Sequence, residues 1–216
     1  MPLADLAHQI RPAAGEPAGA LVLMHGRGTS EHDLVPLFDV LDPERRLVCV
    51  APRGPLSLPP GGQHWYIVRR VGFPDAETFL PTVAKLDEWL DALAEETGVP
   101  IGSTVLGGFS QGAVMSWALG IGPDRPRPAG VMALSGFMPE VPGFQLQDDL
   151  TGLEAIIAHG TQDQVISVDL GRAARDRAQA AGATVTYLES GVPHTIDPGA
   201  VPQLVAWLRA RTTPTP

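Results

Sequence analysis

The stretch Val105-Leu106-Gly107-Gly108-Phe109-Ser110-Gln111-Gly112-Ala113-Val114-Met115 decides the fold, because an apolar run stops at a glycine-flanked serine and helix-forming residues follow at once. This pattern predicts a strand, a sharp turn and a helix, with Ser110 at the turn. Gly108 and Gly112 complete the pattern G-x-S-x-G, in which larger side chains would collide across the turn. We therefore interpret Ser110 as a nucleophile held above a sheet; the alternative is a capping serine in an ordinary glycine-rich turn.

The surrounding chain has to support that interpretation, because the pentapeptide alone occurs by chance in about one chain in ten of this composition. Residues 20–24 are apolar throughout, which is typical of a parallel strand buried on both faces, and a second buried strand is predicted at 46–51. Further strands are predicted at 6–12, 130–134, 155–158 and 184–188, and helices at 33–41, 76–97, 168–181 and 199–211. This alternation predicts an α/β fold with a mostly parallel sheet and helices on both faces.

The composition limits the organisation and the partners of the chain. Its 216 residues suit one domain, which we place at 1–211 with a frayed tail at 212–216. A net charge of −9 argues against nucleic acid, because no basic face is available for a phosphate backbone. The N-terminus lacks a basic stretch followed by an apolar core, and no apolar run approaches membrane-spanning length, so we expect a cytoplasmic protein without stable membrane insertion. The single cysteine, Cys49, lies in an apolar run and is expected to be a buried hydrophobic residue.

A serine hydroxyl needs a base to take its proton, and the base needs a carboxylate to fix its tautomer. Ligands of a doubly wound sheet meet the carboxyl ends of its strands, so only Asp and His residues directly after strands qualify. Asp163 follows the predicted strand at 155–158, and His194 follows the one at 184–188. The chain order Ser110, Asp163, His194 is that of α/β-hydrolases, and we predict these three residues as the catalytic triad.

The remaining histidines fit other roles better. His25 and His159 each precede a glycine at a strand end, where packing or loop hydrogen bonds are the expected role. His159 with Asp163, or His25 with His32, could begin a metal site, but neither pair forms a ligand motif with a third partner, so we expect no metal. Loop residues 26–28 also fail as a dinucleotide motif, since Glu31 stands at the third glycine position, and we expect no cofactor.

The oxyanion formed by attack on a carbonyl needs donors that are already in place. In this architecture one donor is the backbone N–H of the residue after the nucleophile, which is Gln111 here, and the other comes from the loop after an early strand. That loop is His25-Gly26-Arg27-Gly28, with Arg27 as the predicted donor. The 52–75 segment is rich in proline and glycine and is expected to be an ordered loop over a pocket, without regular elements.

Over nearly its whole length the chain resembles the carboxylesterase/acyl-protein thioesterase family of small α/β-hydrolases, also called the phospholipase/carboxylesterase family. The resemblance rests on Leu23-Met24-His25-Gly26-Arg27-Gly28, Ala51-Pro52-Arg53-Gly54, Trp65-Tyr66, Gly107-Gly108-Phe109-Ser110-Gln111-Gly112, Leu134-Ser135-Gly136-Phe137, His159-Gly160 with Asp163 and Val165, and Gly191-Val192 with His194.

The resemblance implies an α/β-hydrolase fold with a mostly parallel sheet of about seven strands and no large lid domain. It also implies hydrolysis of esters or thioesters without a cofactor by Ser110, Asp163 and His194, and it points to Trp65 and Phe137 as substrate-binding residues. Arg27 departs from the family, which usually has an apolar residue there. Thr29, Ile67 and Ser167 also depart, at positions where the family often has an acid, an Asp and a Pro.

The hypothesis that follows is a serine carboxylesterase acting on small esters through an acyl-enzyme. An acyl-protein thioesterase or a lysophospholipase is the alternative among hydrolases, whereas a dienelactone hydrolase is disfavoured because that group has cysteine where Ser110 stands. A ligand-binding module on the same fold would be expected to lack part of the triad or of the oxyanion loop. The expected partner is a small-molecule ester or thioester, with a homodimer as an open question.

For the Arg27 side chain two interpretations stay open. In the first, the side chain packs along its loop and pairs with an acid such as Glu31 or Asp33. In the second, the side chain faces the pocket and selects substrates that carry a carboxylate or phosphate.

Overall fold

A computed structural model of the protein describes residues 6–123 and 125–212. The strands are β1 (His8–Arg11), β2 (Ala20–Met24), β3 (Val48–Pro52), β4 (Leu56–Ser57), β5 (Gln63–His64), β6 (Val68–Arg70), β7 (Phe73–Pro74), β8 (Thr104–Phe109), β9 (Gly130–Leu134), β10 (Glu154–Gly160) and β11 (Thr184–Ser190). The α-helices are α1 (Pro36–Leu41), α2 (Ala76–Thr97), α3 (Gln111–Ile121), α4 (Val168–Ala180) and α5 (Val201–Arg211). The predicted strands and helices are confirmed, with ends that differ by a few residues.

Seven strands form the central sheet in the order β1-β3-β2-β8-β9-β10-β11. Only β1 runs antiparallel to its neighbour, and the other six strands are parallel. The α/β-hydrolase architecture predicted from the sequence is therefore confirmed. The parallel strands end at one edge of the sheet, and this brings residues far apart in the sequence to a common site.

The two faces of the sheet are covered by different helices because side chains alternate along each strand. In β2, Leu21 and Leu23 pack in one core with residues of α1 and α5, while Val22 and Met24 pack in another with residues of α2 and α3. A third core lies between β9, β10, α3 and α4. Because β2 is buried on both faces, it reads in the sequence as an unbroken apolar run.

The 52–75 segment departs from expectation. We predicted no regular element there, yet β4 pairs with β5 and β6 pairs with β7 as two short antiparallel hairpins. Ladders of two or three residues are too short to leave a periodic signal in the sequence. The prediction of an irregular loop was wrong in this respect.

At the C-terminal end, Thr212 is buried and its hydroxyl donates to the carbonyl of Leu208 at 2.9 Å. The rest of the predicted tail, residues 213–216, lies outside the described residues. The extent of the domain, 1–211, stays a prediction.

Candidate active site

The serine of the opening stretch sits at a strained turn between β8 and α3. Ser110 has φ 56° and ψ −119°, a backbone conformation that residues other than glycine rarely adopt. A Cβ on Gly108 would lie 2.4 Å from the backbone of Gly112, and a Cβ on Gly112 would lie 1.9 Å from the carbonyl oxygen of Met24. Both flanking glycines are therefore required by close backbone approach, as in a nucleophile elbow.

Two loops at the same edge of the sheet bring a base and a carboxylate to this serine. His194 follows β11, and its Nε2 lies 3.0 Å from Ser110 Oγ. Asp163 follows β10, and its Oδ2 accepts a hydrogen bond from His194 Nδ1 at 2.6 Å. A neutral imidazole with its proton on Nδ1 can accept the serine proton at Nε2. The geometry thus forms a hydrogen-bonded relay from Ser110 through His194 to Asp163.

Asp163 is held by its own loop. Its Oδ1 accepts hydrogen bonds from the backbone N–H groups of Val165 and Ile166, both at 2.8 Å. Burial raises the pKa of Asp163, but the hydrogen bonds from His194 and from these backbone groups outweigh burial, so the pKa lies below its ordinary value. The carboxylate therefore stays ionised and fixed beside the imidazole.

A second histidine approaches the same carboxylate. The Nε2 of His159, a fully buried side chain, donates to the carbonyl of Ile166 at 2.9 Å and lies 3.4 Å from Asp163 Oδ2. Nε2 therefore carries the proton of the ring, and within residues 6–123 and 125–212 no cluster of three or more His, Cys, Asp and Glu is arranged to hold a metal.

The loop after β2 is anchored to the 52–75 segment. His25 Nε2 accepts a hydrogen bond from the Gly54 N–H at 2.9 Å, so its proton lies on Nδ1, which donates to Gly26 O at 2.7 Å. Burial lowers the pKa of His25 and keeps the ring neutral, as this pattern requires. The backbone of Gly28 also donates to Gln63 O at 2.8 Å. These contacts fix the backbone on both sides of Arg27.

Gln111 links the elbow to the same segment. It is the first residue of α3, so its backbone N–H has no partner within the helix. Its side chain accepts from the Trp65 N–H at 3.1 Å and donates to Tyr66 O at 2.9 Å. Gln111 thus presents an N–H without a helical partner beside Ser110, and its side chain holds the opposite wall in place.

The active site opens onto a cavity of about 390 Å³, a size typical of small-molecule sites. Ser110 and His194 lie on it, and the rest of its lining is Arg27, Tyr66, Val68, Arg70, Val71, Gly72, Phe73, Pro74, Gln111, Phe137, Val165 and Ile166. Ser110 is only 8% exposed, so the hydroxyl is reached through this cavity.

Comparison with known proteins agrees with this geometry. The profile of the phospholipase/carboxylesterase family matches residues 7–210, which is nearly the whole chain. The chain belongs to this family. The resemblance inferred from the motifs is thereby confirmed.

Relatives within the family carry two kinds of name. An acyl-protein thioesterase 1 of Yarrowia lipolytica is 32% identical over 181 residues, covering 76% of this chain and 78% of the relative. The structure of a carboxylesterase from Bacillus cereus has a TM-score of 0.85 at 25% identity and covers 96% of this chain and 95% of its own. A Mesorhizobium loti carboxylesterase structure, at 22% identity, 96% coverage of both chains and a TM-score of 0.84, supports the fold.

In the described part of the chain, every helix is too short or too polar to cross a membrane.

Of the two residues that the resemblance pointed to as substrate-binding, one lies at the cavity and the other lies beneath it. Phe137 lines the cavity, as expected for a substrate-binding residue. Trp65 does not, because it is fully buried and its indole N–H donates to the carbonyl of His25 at 2.8 Å. The expectation for Trp65 is corrected: it supports the loop from beneath, and the adjacent Tyr66 borders the cavity.

Of the two interpretations of the Arg27 side chain, the pairing with an acid such as Glu31 or Asp33 is not found among the described residues. The Glu31 carboxylate is bound by Arg53, whose Nε lies 2.6 Å from Oε2. Arg27 is exposed at the cavity, and among the described residues it has neither a hydrogen bond nor an ion pair through its side chain.

Sequence reasoning missed the wall formed by Arg70, Val71, Phe73 and Val165. Val71, Phe73 and Val165 are 44%, 49% and 56% exposed, and together they form an apolar patch on the cavity, a feature typical of ligand-binding surfaces. The available signal was the apolar residues inside the Pro- and Gly-rich segment, which we read only as loop.

Proposed function

We propose that the chain is a serine hydrolase that cleaves carboxylic esters through an acyl-enzyme, with Ser110 as nucleophile, His194 as base and Asp163 as the orienting carboxylate. The observation that carries the proposal is the relay with Ser110 Oγ 3.0 Å from His194 Nε2 and His194 Nδ1 2.6 Å from Asp163 Oδ2. The position of Ser110 on a nucleophile elbow, at the N-terminus of α3, supports the assignment.

In the first half of the reaction, Ser110 attacks the ester carbonyl while His194 takes its proton. The carbonyl oxygen becomes an oxyanion, and the backbone N–H groups of Arg27 and Gln111 are our proposed donors to it. The loop that holds Arg27 is fixed by His25, so the donors need no rearrangement as charge develops. His194 then gives the proton to the departing alcohol, and the acyl group remains on Ser110.

In the second half, a water molecule takes the place of the alcohol. His194 removes its proton as the water attacks the acyl-enzyme, and the same two N–H groups hold the second oxyanion. The acid then leaves and Ser110 regains its proton. Because only a neutral imidazole can accept a proton, His194 has to be uncharged when each of the two attacks begins.

Thioester hydrolysis is the second candidate, and it is favoured by the names of the relatives. The Yarrowia lipolytica and Cryptococcus neoformans proteins, 32% and 27% identical to this chain, are both called acyl-protein thioesterase 1. The same residues would serve, with a thiolate as leaving group. A cytoplasmic location and a homodimer remain predictions from the sequence.

The test compares Ser110→Ala with the parent on a panel of esters and thioesters of graded acyl length. We expect kcat/KM to fall by about 1,000-fold or more, because the triad residues act together and loss of one lowers the rate by several powers of ten. Ser116→Ala is the matched control, because this buried hydroxyl of α3 donates to Gly112 O and lies outside the relay. A fluorophosphonate probe should label the parent and the control at Ser110, as mass spectrometry of the peptides would show. Retention of activity within about tenfold in Ser110→Ala, or labelling elsewhere, would refute the proposal.

A further inference from the structure

Two arginines on the cavity lack the carboxylate partners that neighbouring arginines have. Arg53 binds Glu31, and Arg69 binds Asp75 at 2.9 Å. Arg27 and Arg70 both line the cavity, and within residues 6–123 and 125–212 neither forms an ion pair. Their charges are therefore not neutralised by the protein.

The charge of the cavity runs against that of the chain. The protein carries a net charge of −9, yet the lining of the cavity includes two arginines and, within the described ranges, neither Asp nor Glu. The nearest catalytic carboxylate, Asp163, has no exposed side-chain surface and is bound to His194. A cleft lined by one sign of charge concentrates ligands of the opposite sign.

The wall around these arginines is apolar. The guanidinium of Arg70 lies 3.5 Å above the ring of Phe73, a cation–π contact that positions the group and leaves its charge intact. Val68, Val71 and Val165 complete this part of the lining. A ligand that fills the cavity therefore meets carbon surface and, at the same wall, unpaired positive charge.

We propose that this cavity selects esters that carry an anionic group, a carboxylate or a phosphate, and that Arg27 and Arg70 are the specificity-determining residues. The guanidinium fork matches either anion with two parallel hydrogen bonds. Because Ser110 and His194 lie on the same cavity, an anion bound there belongs to the substrate of this site. The inference rests on the proposed function and deepens it by naming a substrate class.

The test measures one ratio, kcat/KM for an anionic ester divided by kcat/KM for its neutral counterpart. Mono-4-nitrophenyl glutarate and 4-nitrophenyl pentanoate share a leaving group and differ in an acyl-chain carboxylate. The 4-nitrophenyl ester of 4-phosphonobutyric acid replaces the carboxylate with a phosphonate, so this arm distinguishes the two anions. Butyrate esters of 4-hydroxybutyric acid and of pentanol, followed by proton release, move the charge to the alcohol side.

We expect the ratio to fall about tenfold in Arg27→Gln and in Arg70→Gln, which corresponds to 1.4 kcal/mol. In the double variant the losses should add if the arginines act independently. Arg45→Gln is the control, because this exposed arginine lies before β3, at the opposite end of the sheet, and its replacement changes the net charge equally. The control should keep both the ratio and the activity. In the parent, salt should lower the ratio by screening.

Each outcome has a consequence. If the neutral ester is hydrolysed but neither arginine variant changes the ratio, the inference is wrong and the proposed function stands. Equal losses on both esters would likewise overturn it and leave Arg27 and Arg70 as loop structure. If the parent hydrolyses none of the esters, the proposed function fails and the inference fails with it.

Discussion

The two walls of the cavity are built in different ways. On one wall, Ser110 and His194 sit on turns directly after β8 and β11, and Asp163, after β10, lies behind them with its carboxylate held by backbone hydrogen bonds. The other wall is the 53–75 segment, whose two short hairpins leave Val71 and Phe73 nearly half exposed. The first wall is an extension of the sheet, whereas the second lies against it.

This difference separates the residues that would carry out the reaction from the segment that borders the entering substrate. Parallel strands of one sheet end at fixed places, so the packing of the sheet fixes the relative positions of the relay residues that follow those strands. The segment 53–75 reaches the core through a few anchors, of which the Gln111 side chain and His25 are the clearest. Changes in that segment can alter what enters the cavity while the relay stays in place.

The largest effect should come from the sheet-borne wall, in Asp163→Asn. Asparagine keeps the size of the side chain, but it no longer carries the charge that fixes the His194 tautomer and stabilises the imidazolium. We expect kcat to fall by about 10⁴-fold with little change in KM. Steady-state kinetics on a short neutral ester measures both parameters.

The control for this prediction is Asp197→Asn. Asp197 lies three residues after His194, and its carboxylate accepts a hydrogen bond from Gly199 N, so the same chemical change is made outside the relay. Activity of the control should match that of the parent. A loss of less than about tenfold in Asp163→Asn would mean that another carboxylate orients His194.

A smaller effect is expected where the two walls meet, in Gln111→Ala. This variant keeps the backbone N–H next to Ser110 but leaves the buried Trp65 N–H without a partner, and the Tyr66 carbonyl keeps only its contact with His64 Nδ1 at 3.1 Å. One unsatisfied buried group costs about 1–3 kcal/mol, so urea unfolding should show a clear loss of stability. We also expect kcat/KM to fall about tenfold as the wall shifts.

Gln147→Ala shows whether that activity loss is specific to the site. Gln147 also binds backbone, donating from its side chain to Gly122 O at 2.7 Å, but it does not line the cavity. It should lose stability and keep activity. Equal activity in Gln111→Ala and the parent would show that the 53–75 segment does not depend on this anchor.

The same contrast explains what the sequence could predict. The relay residues follow predictable strands, and the parallel order brings their loops to one edge, so Asp163 and His194 could be selected by position alone. Nothing in the local sequence says whether Trp65 or Tyr66 faces the cavity, because their orientation depends on contacts with His25 and Gln111. The partner of Glu31 depends in the same way on tertiary structure, since Arg53 lies 22 positions away in the sequence.

The smallest effect concerns the other anchor, His25, and appears as a dependence of stability on pH. Burial lowers the pKa of His25 in the folded protein below its ordinary value of 6.5, so the unfolded chain binds a proton more readily. The contribution of His25 to the free energy of unfolding is therefore fully present above pH 6.5 and is lost as the pH falls from there towards the pKa of the folded protein. The pKa of His64 is lowered too, again with burial as the largest cause, and adds a change of the same sign. The slope for one such group is at most about 1.4 kcal/mol per pH unit.

Urea unfolding at pH 7.5, 6.5 and 5.5 measures this slope in the parent and in His25→Asn. The variant should be less stable at pH 7.5, because the Gly54 N–H loses its acceptor, and its stability should decline less as the pH falls. An identical slope in His25→Asn and the parent would show that His25 is not what ties the stability of this anchor to pH.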